Sequence, residues 1–337
     1  MPLVTILSIP DLLNSVKSPK FNPERCCEMC RLLGYIGEPV SLSDLIFESD
    51  QSLAVQAYSS NTQNFLNVAG IGFTAWQDDS VNPRVPFSYH STELPMYDRN
   101  LQRLTEKITA NCAVGHIRAT GYMPGSSNII TIPNCHPFQF KNTDVVLAHN
   151  GGLANFDSIK LQITNLCHEK YSLQVQGNTD SEWVYALLMS KLAEGVEMHT
   201  AEEIADATLD TLAEIRVLRE SAGINTHSAA NLIIANGKSL IATCFTYDFG
   251  RYDGLINQAV LSPEMHSLWY STGNHFGCFE GQWTMKRKQG ERCSSMVLAS
   301  EPLTNDTSTW VELQKYTMLI IDYSNGQMLI STREIDV

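Results

Sequence analysis

The order of the predicted secondary-structure elements is the sequence feature that most constrains the fold. Short runs of β-forming residues, including 31–36 and 145–148, fill the first half of the chain. Two helical segments follow at 179–192 and 200–222, and short strands then return as far as Asp322. Strands grouped in this way favour antiparallel sheets with segregated helices, whereas parallel sheets need a helix between consecutive strands. We therefore predict an α+β protein.

Three local patterns give further predictions. Residues 52–58 are predicted as a strand, and the helical spacing of apolar residues over 99–109 predicts a helix. The dipeptide of Asn325 and Gly326 is typical of a two-residue β-hairpin turn. The first 29 residues contain four prolines and no sustained periodicity, which indicates an appended segment. We therefore expect residues 1–29 to be an N-terminal extension and residues 30–337 to form one domain.

Charge and composition limit the partners and the compartment. The 337 residues carry a formal charge of −13, from 23 Lys and Arg against 36 Asp and Glu. Such a charge repels phosphate backbones and anionic lipids, so we expect neither nucleic acid nor a membrane as partner. No apolar run approaches the roughly 18–20 residues that span a bilayer. Nine cysteines and no charged segment before the apolar start favour a reducing compartment, so we expect a soluble cytoplasmic protein.

The cysteines also limit metal and cofactor chemistry. Cys27 and Cys30 form a CxxC pair, but a tetrahedral zinc site needs a second pair, and the six later cysteines stand alone in sequence. A thioredoxin-like site would need a strand before the pair and a helix after it, whereas a predicted strand follows it here. We therefore predict no metal site and no cofactor.

One cysteine directly follows a methionine, at Met29 and Cys30. If translation starts at Met29, or the chain is cut ahead of Cys30, one residue carries both a thiol and a free α-amine. A thiolate is a nucleophile, and an α-amine with an ordinary pKa of about 8 is a suitable general base. An internal cysteine has an amide nitrogen and lacks that base. We therefore expect residues 1–29 to be removed or never translated.

Four sequence segments, in a fixed order, resemble the class II glutamine amidotransferase family of N-terminal-nucleophile hydrolases. They are 29–34 (MCRLLG), 115–120 (GHIRAT), 148–153 (AHNGGL) and 177–182 (GNTDSE), with a later match at 297–303 (VLASEPL). The resemblance covers residues 30–192 well and the rest more loosely. Within the family, the segments are most similar to the amidotransferase-like subunit of the fungal glutathione-degrading complex. The γ-glutamyl hydrolase of the ergothioneine pathway is a close second.

The resemblance implies a fold and a set of site residues. The fold is a four-layer αββα sandwich of antiparallel sheets, the N-terminal-nucleophile hydrolase fold. Cys30 would attack the δ-carbonyl of a γ-glutamyl group, with its own α-amine as base. Asn150 and the backbone N–H of Gly151 would form the oxyanion hole. Arg118 would bind the substrate α-carboxylate through its planar fork, and Asp180 would bind the α-ammonium.

The implied activity is hydrolysis of a γ-glutamyl amide bond, with glutathione as the first expected substrate and glutamate as product. Three alternatives stay open: hydrolysis of γ-glutamyl hercynylcysteine sulfoxide, a glutaminase subunit of an amidotransferase, and a pseudoenzyme that binds γ-glutamyl ligands without turnover. An amidotransferase would need a partner subunit, since no second domain of synthase size is evident. The glutathione-degrading relatives also work with a peptidase-like partner, which implies a hetero-complex.

Each candidate residue also has an ordinary structural interpretation. Alone, Arg118 indicates an ion pair, Asp180 the charged start of a helix, and Asn150 with Gly151 a turn. Their ordered co-occurrence is what favours function. Structural roles are also predicted for three histidines of the matched segments: His116, His136 and His149.

Two positions depart from the family pattern. Ala69 stands where the family usually has an aspartate, and Gly121 stands where it tends to have a threonine. Either change would loosen the positioning of a substrate, because functional sites depend on tightly held geometry. These departures keep the non-catalytic alternative open.

Overall fold

The computed structural model describes residues 30–62, 66–119, 130–251 and 266–337. Its strands are β1 (Arg31–Ser41), β2 (Ile71–Trp76), β3 (Phe87–Ser91), β4 (Thr109–Ile117), β5 (Val146–Gly151), β6 (Ser228–Ala235), β7 (Ser239–Cys244), β8 (Thr246–Tyr247), β9 (Trp269–Gly273), β10 (His275–Phe279), β11 (Gln282–Lys286), β12 (Ser295–Ala299), β13 (Trp310–Glu312), β14 (Thr317–Asp322) and β15 (Leu329–Glu334). Its α-helices are α1 (Leu53–Gln56), α2 (Arg99–Thr105), α3 (Lys160–Leu166), α4 (Glu169–Ser172), α5 (Asp180–Lys191) and α6 (Ala201–Ser221). A π-helical turn covers Asp44–Glu48.

The strands form two large antiparallel sheets and a separate hairpin of β10 and β11. The first sheet has the order β13-β9-β12-β1-β4-β2-β3, and the second follows β15-β14-β7-β6-β5, with β8 paired to β6. In the first sheet, Leu33 of β1 lies opposite Ala299 of β12 and Gly115 of β4. In the second sheet, Ala148 of β5 lies opposite Ile233 of β6. β1 is therefore central in its sheet, whereas β5 lies at an edge.

The two sheets pack face to face around a shared apolar layer. Leu32 and Ala148 lie in this layer, and a Cβ atom added at Gly34 would be 3.3 Å from the side chain of Ile233. The outer face of the second sheet packs against α3, α5 and α6. The outer face of the first sheet packs against α1, α2, the π-helical turn and the β10–β11 hairpin. These layers confirm the predicted αββα sandwich, although the helices on the first sheet are short.

The two long helices begin at side-chain caps. Thr179 accepts a hydrogen bond from the backbone N–H of Glu182 at the start of α5. Thr200 and Glu203 form a reciprocal capping box at the start of α6. Both predicted helices are confirmed, with ends that differ by one residue from the predicted ranges.

The prediction of a strand at 52–58 is wrong, because α1 lies there. The hydroxyl of Ser52 accepts the backbone N–H of Val55, and this N-cap favours a helical turn over an extended chain. The helix predicted over 99–109 is shorter than expected, since α2 ends at Thr105 and β4 begins at Thr109. Local apolar spacing gave no sign of that boundary.

The turn containing Asn325 and Gly326 joins β14 to β15 as a hairpin, but it is longer than two residues. Asp322 pairs with Leu329, so residues 323–328 form the connection. The expectations for residues 1–29 lie outside the described residues. Among the residues that are described, no helix is both long and apolar enough to cross a membrane.

Candidate active site

Cys30 and Arg118 lie next to each other at one end of the first sheet, directly before β1 and directly after β4. Side chains alternate along a strand, and Leu32 and Val114 face the inter-sheet layer, so Cys30 and Arg118 face it too. The N–H of Ala119 donates to the Cys30 thiol, with 3.4 Å between N and Sγ. The side chains of Cys30 and Arg118 are both buried. The thiol and the guanidinium group therefore share one end of the layer between the sheets.

Asn150 reaches the same end from the second sheet. Ala148 faces the inter-sheet layer, so the alternation along β5 turns Asn150 toward the first sheet. Its side-chain amide donates to Oγ of Ser300 at 3.5 Å, and that oxygen also accepts the N–H of Leu32 at 2.9 Å. Ser300 therefore links β1 to the predicted oxyanion amide. The sequence matched the segment around Ser300 but assigned this residue no role.

The backbone N–H of Gly151 points to the outer edge of the second sheet, on the side of β5 away from β6. On that edge Leu147 exchanges both backbone hydrogen bonds with Phe138, at 2.8 and 3.1 Å. Alternate residues of an antiparallel strand direct their backbone groups to the same side, so Gly151 also faces this edge. Its φ of +155° favours glycine. A Cβ atom at Gly151 would collide with the carbonyl oxygen of Ala229, so a larger residue does not fit.

Asp180 is the first residue of α5 and lies against residues 150–153, which we call the oxyanion loop. Its Oδ2 accepts the N–H of Leu153 at 2.5 Å, and its Oδ1 accepts the N–H of Ser181 at 2.8 Å. A Cβ atom at Gly152 would lie 3.7 Å from Oδ2, in ordinary contact distance. Asp180 is therefore a helix-start residue, and its carboxylate also fixes the oxyanion loop.

A buried ion pair lies behind the nucleophile, on the outer face of the first sheet. Nε of Arg31 is 3.2 Å from Oε1 of Glu301, and each side chain is 1% exposed. Nη2 of Arg31 donates to the hydroxyls of Ser60 and Thr62, at 2.7 and 3.0 Å, and Oε2 of Glu301 accepts the N–H of Asn61 at 2.7 Å. Burial lowers the pKa of Arg31 to about 10, so the guanidinium stays charged near neutral pH. Sequence reasoning assigned neither partner a role.

The three histidines predicted to be structural, His116, His136 and His149, are buried. Nδ1 of His136 lies 2.8 Å from Nε2 of His116, and their rings meet edge to face. Burial holds the pKa of both imidazoles well below its usual value, so both are neutral. His149 lies on the opposite side of β5 from Asn150 and contacts the start of α5. Within residues 30–62, 66–119, 130–251 and 266–337, no group of three or more candidate ligands could hold a metal ion.

The departure at Ala69 lies beside Arg118. Ala69 is fully buried, and its N–H donates to the carbonyl oxygen of Arg118 at 2.9 Å. The N–H of Arg118 donates to the carbonyl oxygen of Gly70 at 2.9 Å. The backbone ladder that fixes Arg118 is therefore complete without the aspartate usual in the family. The other departure, Gly121, lies outside the described residues.

A family model described as class-II glutamine amidotransferases matches residues 29–336. The chain therefore belongs to the class-II glutamine amidotransferase family, which confirms the resemblance found in the sequence. It is a member of an enzyme family that acts on the amide of glutamine.

Named relatives and solved structures agree with this assignment. "Probable glutamine amidotransferase DUG3" of Saccharomyces cerevisiae is 26% identical over 311 residues, covering 87% of this chain and 82% of the relative. The γ-glutamyl-hercynylcysteine sulfoxide hydrolase of Mycolicibacterium smegmatis is 27% identical over 219 residues, covering 64% of this chain and 78% of the relative. A glutamine aminotransferase class-II domain protein from Silicibacter pomeroyi has a TM-score of 0.56 at 18% identity, covering 91% of this chain and 100% of that one. The glutamine phosphoribosylpyrophosphate amidotransferase of B. subtilis has a TM-score of 0.53 at 16% identity, covering 91% of this chain and 50% of that one. The structural likeness shows the fold alone.

Proposed function

We propose that the protein hydrolyses a γ-glutamyl amide bond, with glutathione as substrate and glutamate as product. The observation that carries the proposal is that the Cys30 thiol and the Asn150 amide lie at the same end of the inter-sheet layer, with the N–H of Gly151 directly after Asn150 at the edge of β5. The family acts on the amide of glutamine, and glutathione contains the same γ-glutamyl group. The similarity of the matched segments to glutathione-degrading subunits favours glutathione.

In the proposed reaction, the sulfur of Cys30 attacks the δ-carbonyl carbon, and the thiol proton passes to the α-amine of the same residue. The side-chain amide of Asn150 and the N–H of Gly151 stabilise the negative charge on the carbonyl oxygen. The α-amine then protonates the departing nitrogen, the C–N bond breaks, and a glutamyl thioester remains on Cys30. Water attacks the thioester with the α-amine again as base, which releases glutamate and restores the thiol.

Arg118 and Asp180 are proposed to recognise the substrate at its other end. A guanidinium group binds a carboxylate through two parallel hydrogen bonds, so Arg118 suits the α-carboxylate. Asp180 presents a half-buried carboxylate at the oxyanion loop, which suits the α-ammonium. Both charged groups occur in glutamine and in glutathione, so this recognition leaves the departing group unspecified.

The mechanism needs a free amine on Cys30, so we propose that residues 1–29 are absent from the active protein. The intact mass and the N-terminal sequence of the protein isolated from its own cells test this point. We expect a chain that begins at Cys30. A protein that retains Met1 and still releases glutamate would contradict the role of the α-amine.

A second candidate substrate is γ-glutamyl hercynylcysteine sulfoxide, because the M. smegmatis relative, named as its hydrolase, is 27% identical to this chain. Glutamate release from glutathione, glutamine and this sulfoxide, measured side by side, ranks the candidates. We expect the highest kcat/KM with glutathione, and none with the Cys30→Ala variant. Faster release from the sulfoxide would replace our first choice. Binding of all three without turnover would favour the pseudoenzyme, an alternative supported by the change at Ala69.

A partner protein and a cellular location are also proposed. We propose a peptidase-like partner in a hetero-complex, on the similarity of the matched segments to glutathione-degrading subunits. A cytoplasmic location is proposed because no disulfide joins the described cysteines, including Cys112, Cys135, Cys167, Cys244, Cys278 and Cys293. Affinity purification of the tagged protein from its own cells, followed by glutathione assays with and without the co-purified protein, tests the partner. We expect glutathione to be cleaved faster in the complex. Equal rates with and without the co-purified protein would contradict the proposed partner.

A further inference from the structure

His149 connects three elements at the candidate site. It directly precedes Asn150, but it faces the helix layer, and its side chain is only 1% exposed. Nε2 of His149 lies 3.1 Å from the carbonyl oxygen of Ala229, which belongs to β6. Nδ1 lies 2.8 Å from Oγ of Ser181, in the first turn of α5. The imidazole therefore bridges the end of β5 to β6 and to the helix that begins with Asp180.

These contacts favour one arrangement of the protons on His149 and Ser181. A carbonyl oxygen only accepts hydrogen bonds, so Nε2 of His149 carries a proton and donates to Ala229. When Nδ1 carries no proton it is an acceptor, and the hydroxyl of Ser181 then donates to it. This hydroxyl has one proton, so its 3.2 Å contact with Oδ1 of Asp180 is the weaker one. Oδ1 instead takes the backbone N–H of Ser181.

The same imidazole touches the residue that supplies the proposed oxyanion N–H. A Cβ atom at Gly151 would lie 2.7 Å from Nε2 of His149. The carbonyl oxygen of Ala229 accepts the N–H of Gly152 at 3.1 Å as well as the proton on Nε2. His149 therefore contacts both the hydroxyl of Ser181 and the backbone at Gly151.

We propose that His149 and Ser181 are positioning residues that couple the carboxylate of Asp180 to the oxyanion N–H of Gly151. The inference rests on the proposed function, because it gives the same site a means of selecting substrates with a free α-ammonium group. When the ammonium binds Asp180, the first turn of α5 and the oxyanion loop take one fixed arrangement. A substrate without the ammonium loses rate in the chemical step as well as affinity.

The test compares glutathione with glutaryl-cysteinylglycine, which differs only by the missing α-ammonium. In the wild type we expect the glutaryl peptide to have the lower kcat. We expect Ser181→Ala to lower kcat on glutathione roughly three- to ten-fold, as for the loss of one hydrogen bond. The effect of Ser181→Ala on the glutaryl peptide is expected to be small. The ratio of kcat on glutathione to kcat on the glutaryl peptide, which we call the discrimination, is therefore expected to decrease. His149→Gln is expected to decrease this discrimination in the same way.

Ser190→Ala is the matched control on the same helix, because its hydroxyl donates to the carbonyl oxygen of Ala186 far from the oxyanion loop. We expect it to leave the discrimination unchanged. In a cycle with Asp180→Asn, coupling predicts that the double variant of Ser181 and Asp180 loses less than the product of the single effects. Nitrogen-15 NMR of the wild type is expected to show His149 protonated at Nε2.

Three results separate failure of the coupling from failure of the function. An equal fall in kcat on both peptides with Ser181→Ala would mean a purely structural role and overturn the coupling. A proton on Nδ1 of His149 would overturn the hydrogen-bond assignment. A folded wild type, purified as a chain starting at Cys30, that releases no glutamate from any γ-glutamyl substrate would overturn the proposed function itself.

Discussion

The two sheets fix their halves of the candidate site by different interactions. Behind Cys30, the first sheet places the buried ion pair of Arg31 and Glu301. The second sheet fixes the oxyanion loop with hydrogen bonds that join His149 to Ser181 and to Ala229. Removing one partner of a buried ion pair leaves an uncompensated charge, whereas losing a neutral hydrogen bond costs roughly 1 kcal/mol. Substitutions behind the nucleophile should therefore reduce stability, and substitutions around the loop should mainly reduce rate.

The largest expected effect is on the first half of the site, at the nucleophile. Cys30→Ala removes the attacking sulfur, so glutamate release is expected to fall by at least about 10³-fold with little change in thermal stability. Cys278→Ala, which changes an exposed cysteine, is the control and should leave the rate unchanged. A Cys30→Ala variant that retains a tenth of the rate would remove Cys30 from the mechanism.

The next effect tests the second half of the site. Gly151→Ala places a Cβ atom against the carbonyl oxygen of Ala229 and moves the oxyanion N–H, so we expect kcat to fall about 100-fold. Gly223→Ala is a matched control, since Gly223 also has a positive φ, +69°, but a Cβ atom there meets nothing within 4 Å. The control should lose stability through backbone strain and keep its rate. Equal rate losses in both variants would indicate a general effect of strain.

Stability should distinguish the halves most clearly at Arg31. Arg31→Met leaves the carboxylate of Glu301 buried without its partner, and we expect a loss of about 3–5 kcal/mol in the free energy of unfolding. Adding Glu301→Gln should recover part of that loss. Arg103→Met, in the exposed pair with Glu106, should cost less than about 1 kcal/mol. Urea denaturation measures the free energy of unfolding of all three variants. Similar losses for Arg31→Met and Arg103→Met would contradict the claim that the buried ion pair behind Cys30 stabilises the fold.

The smallest effect concerns a charge pair in neither half, His199 with Asp144. The hydrogen bond to Asp144 raises the pKa of His199 above its ordinary value of 6.5. Burial alone would raise the pKa of Asp144, but its hydrogen bonds with His199 lower it below 3.8. The contribution of His199 to the free energy of unfolding is complete below pH 6.5 and is lost as pH rises through its raised pKa. The contribution of Asp144 is complete above pH 3.8 and is lost as pH falls through its lowered pKa.

Urea denaturation of the wild type and His199→Gln at several pH values measures this dependence. The difference in unfolding free energy is expected to be largest between those two ordinary values and to shrink on either side. His168→Gln, which changes an exposed histidine paired with Glu194, should show little difference at any pH. A constant difference for His199→Gln would mean that the charge of the pair does not stabilise the fold.

The sequence predicted the parts of the fold that local patterns encode. The strand before Asn150 and the helix capped by Thr179 were both predicted, because apolar runs and capping residues act within a few positions. The strand predicted at 52–58 failed because the N-cap at Ser52 outweighs the preference of its apolar residues for a strand. The predicted two-residue turn after Asp322 failed because the strand register sets the length of a turn.

The candidate site could be predicted only in part. Motifs identified Cys30, and the structure places Arg118 beside it and Asn150 at the same end of the inter-sheet layer. The supporting contacts were missed because they join distant segments: Leu32 and Ser300 are 268 residues apart in sequence. Arg31 beside Cys30 and Glu301 beside Ser300 were both in matched segments, but only the fold shows that they pair.

The most direct test of the account is to trap the acyl-enzyme on a chain that begins at Cys30. The protein is mixed with glutathione, quenched in acid within one turnover, digested and analysed by mass spectrometry, with Cys30→Ala in parallel. We predict a glutamyl thioester on the Cys30 peptide of the wild type, and release of cysteinylglycine before glutamate. Glutamate release without any acyl group on Cys30 would contradict the proposed mechanism.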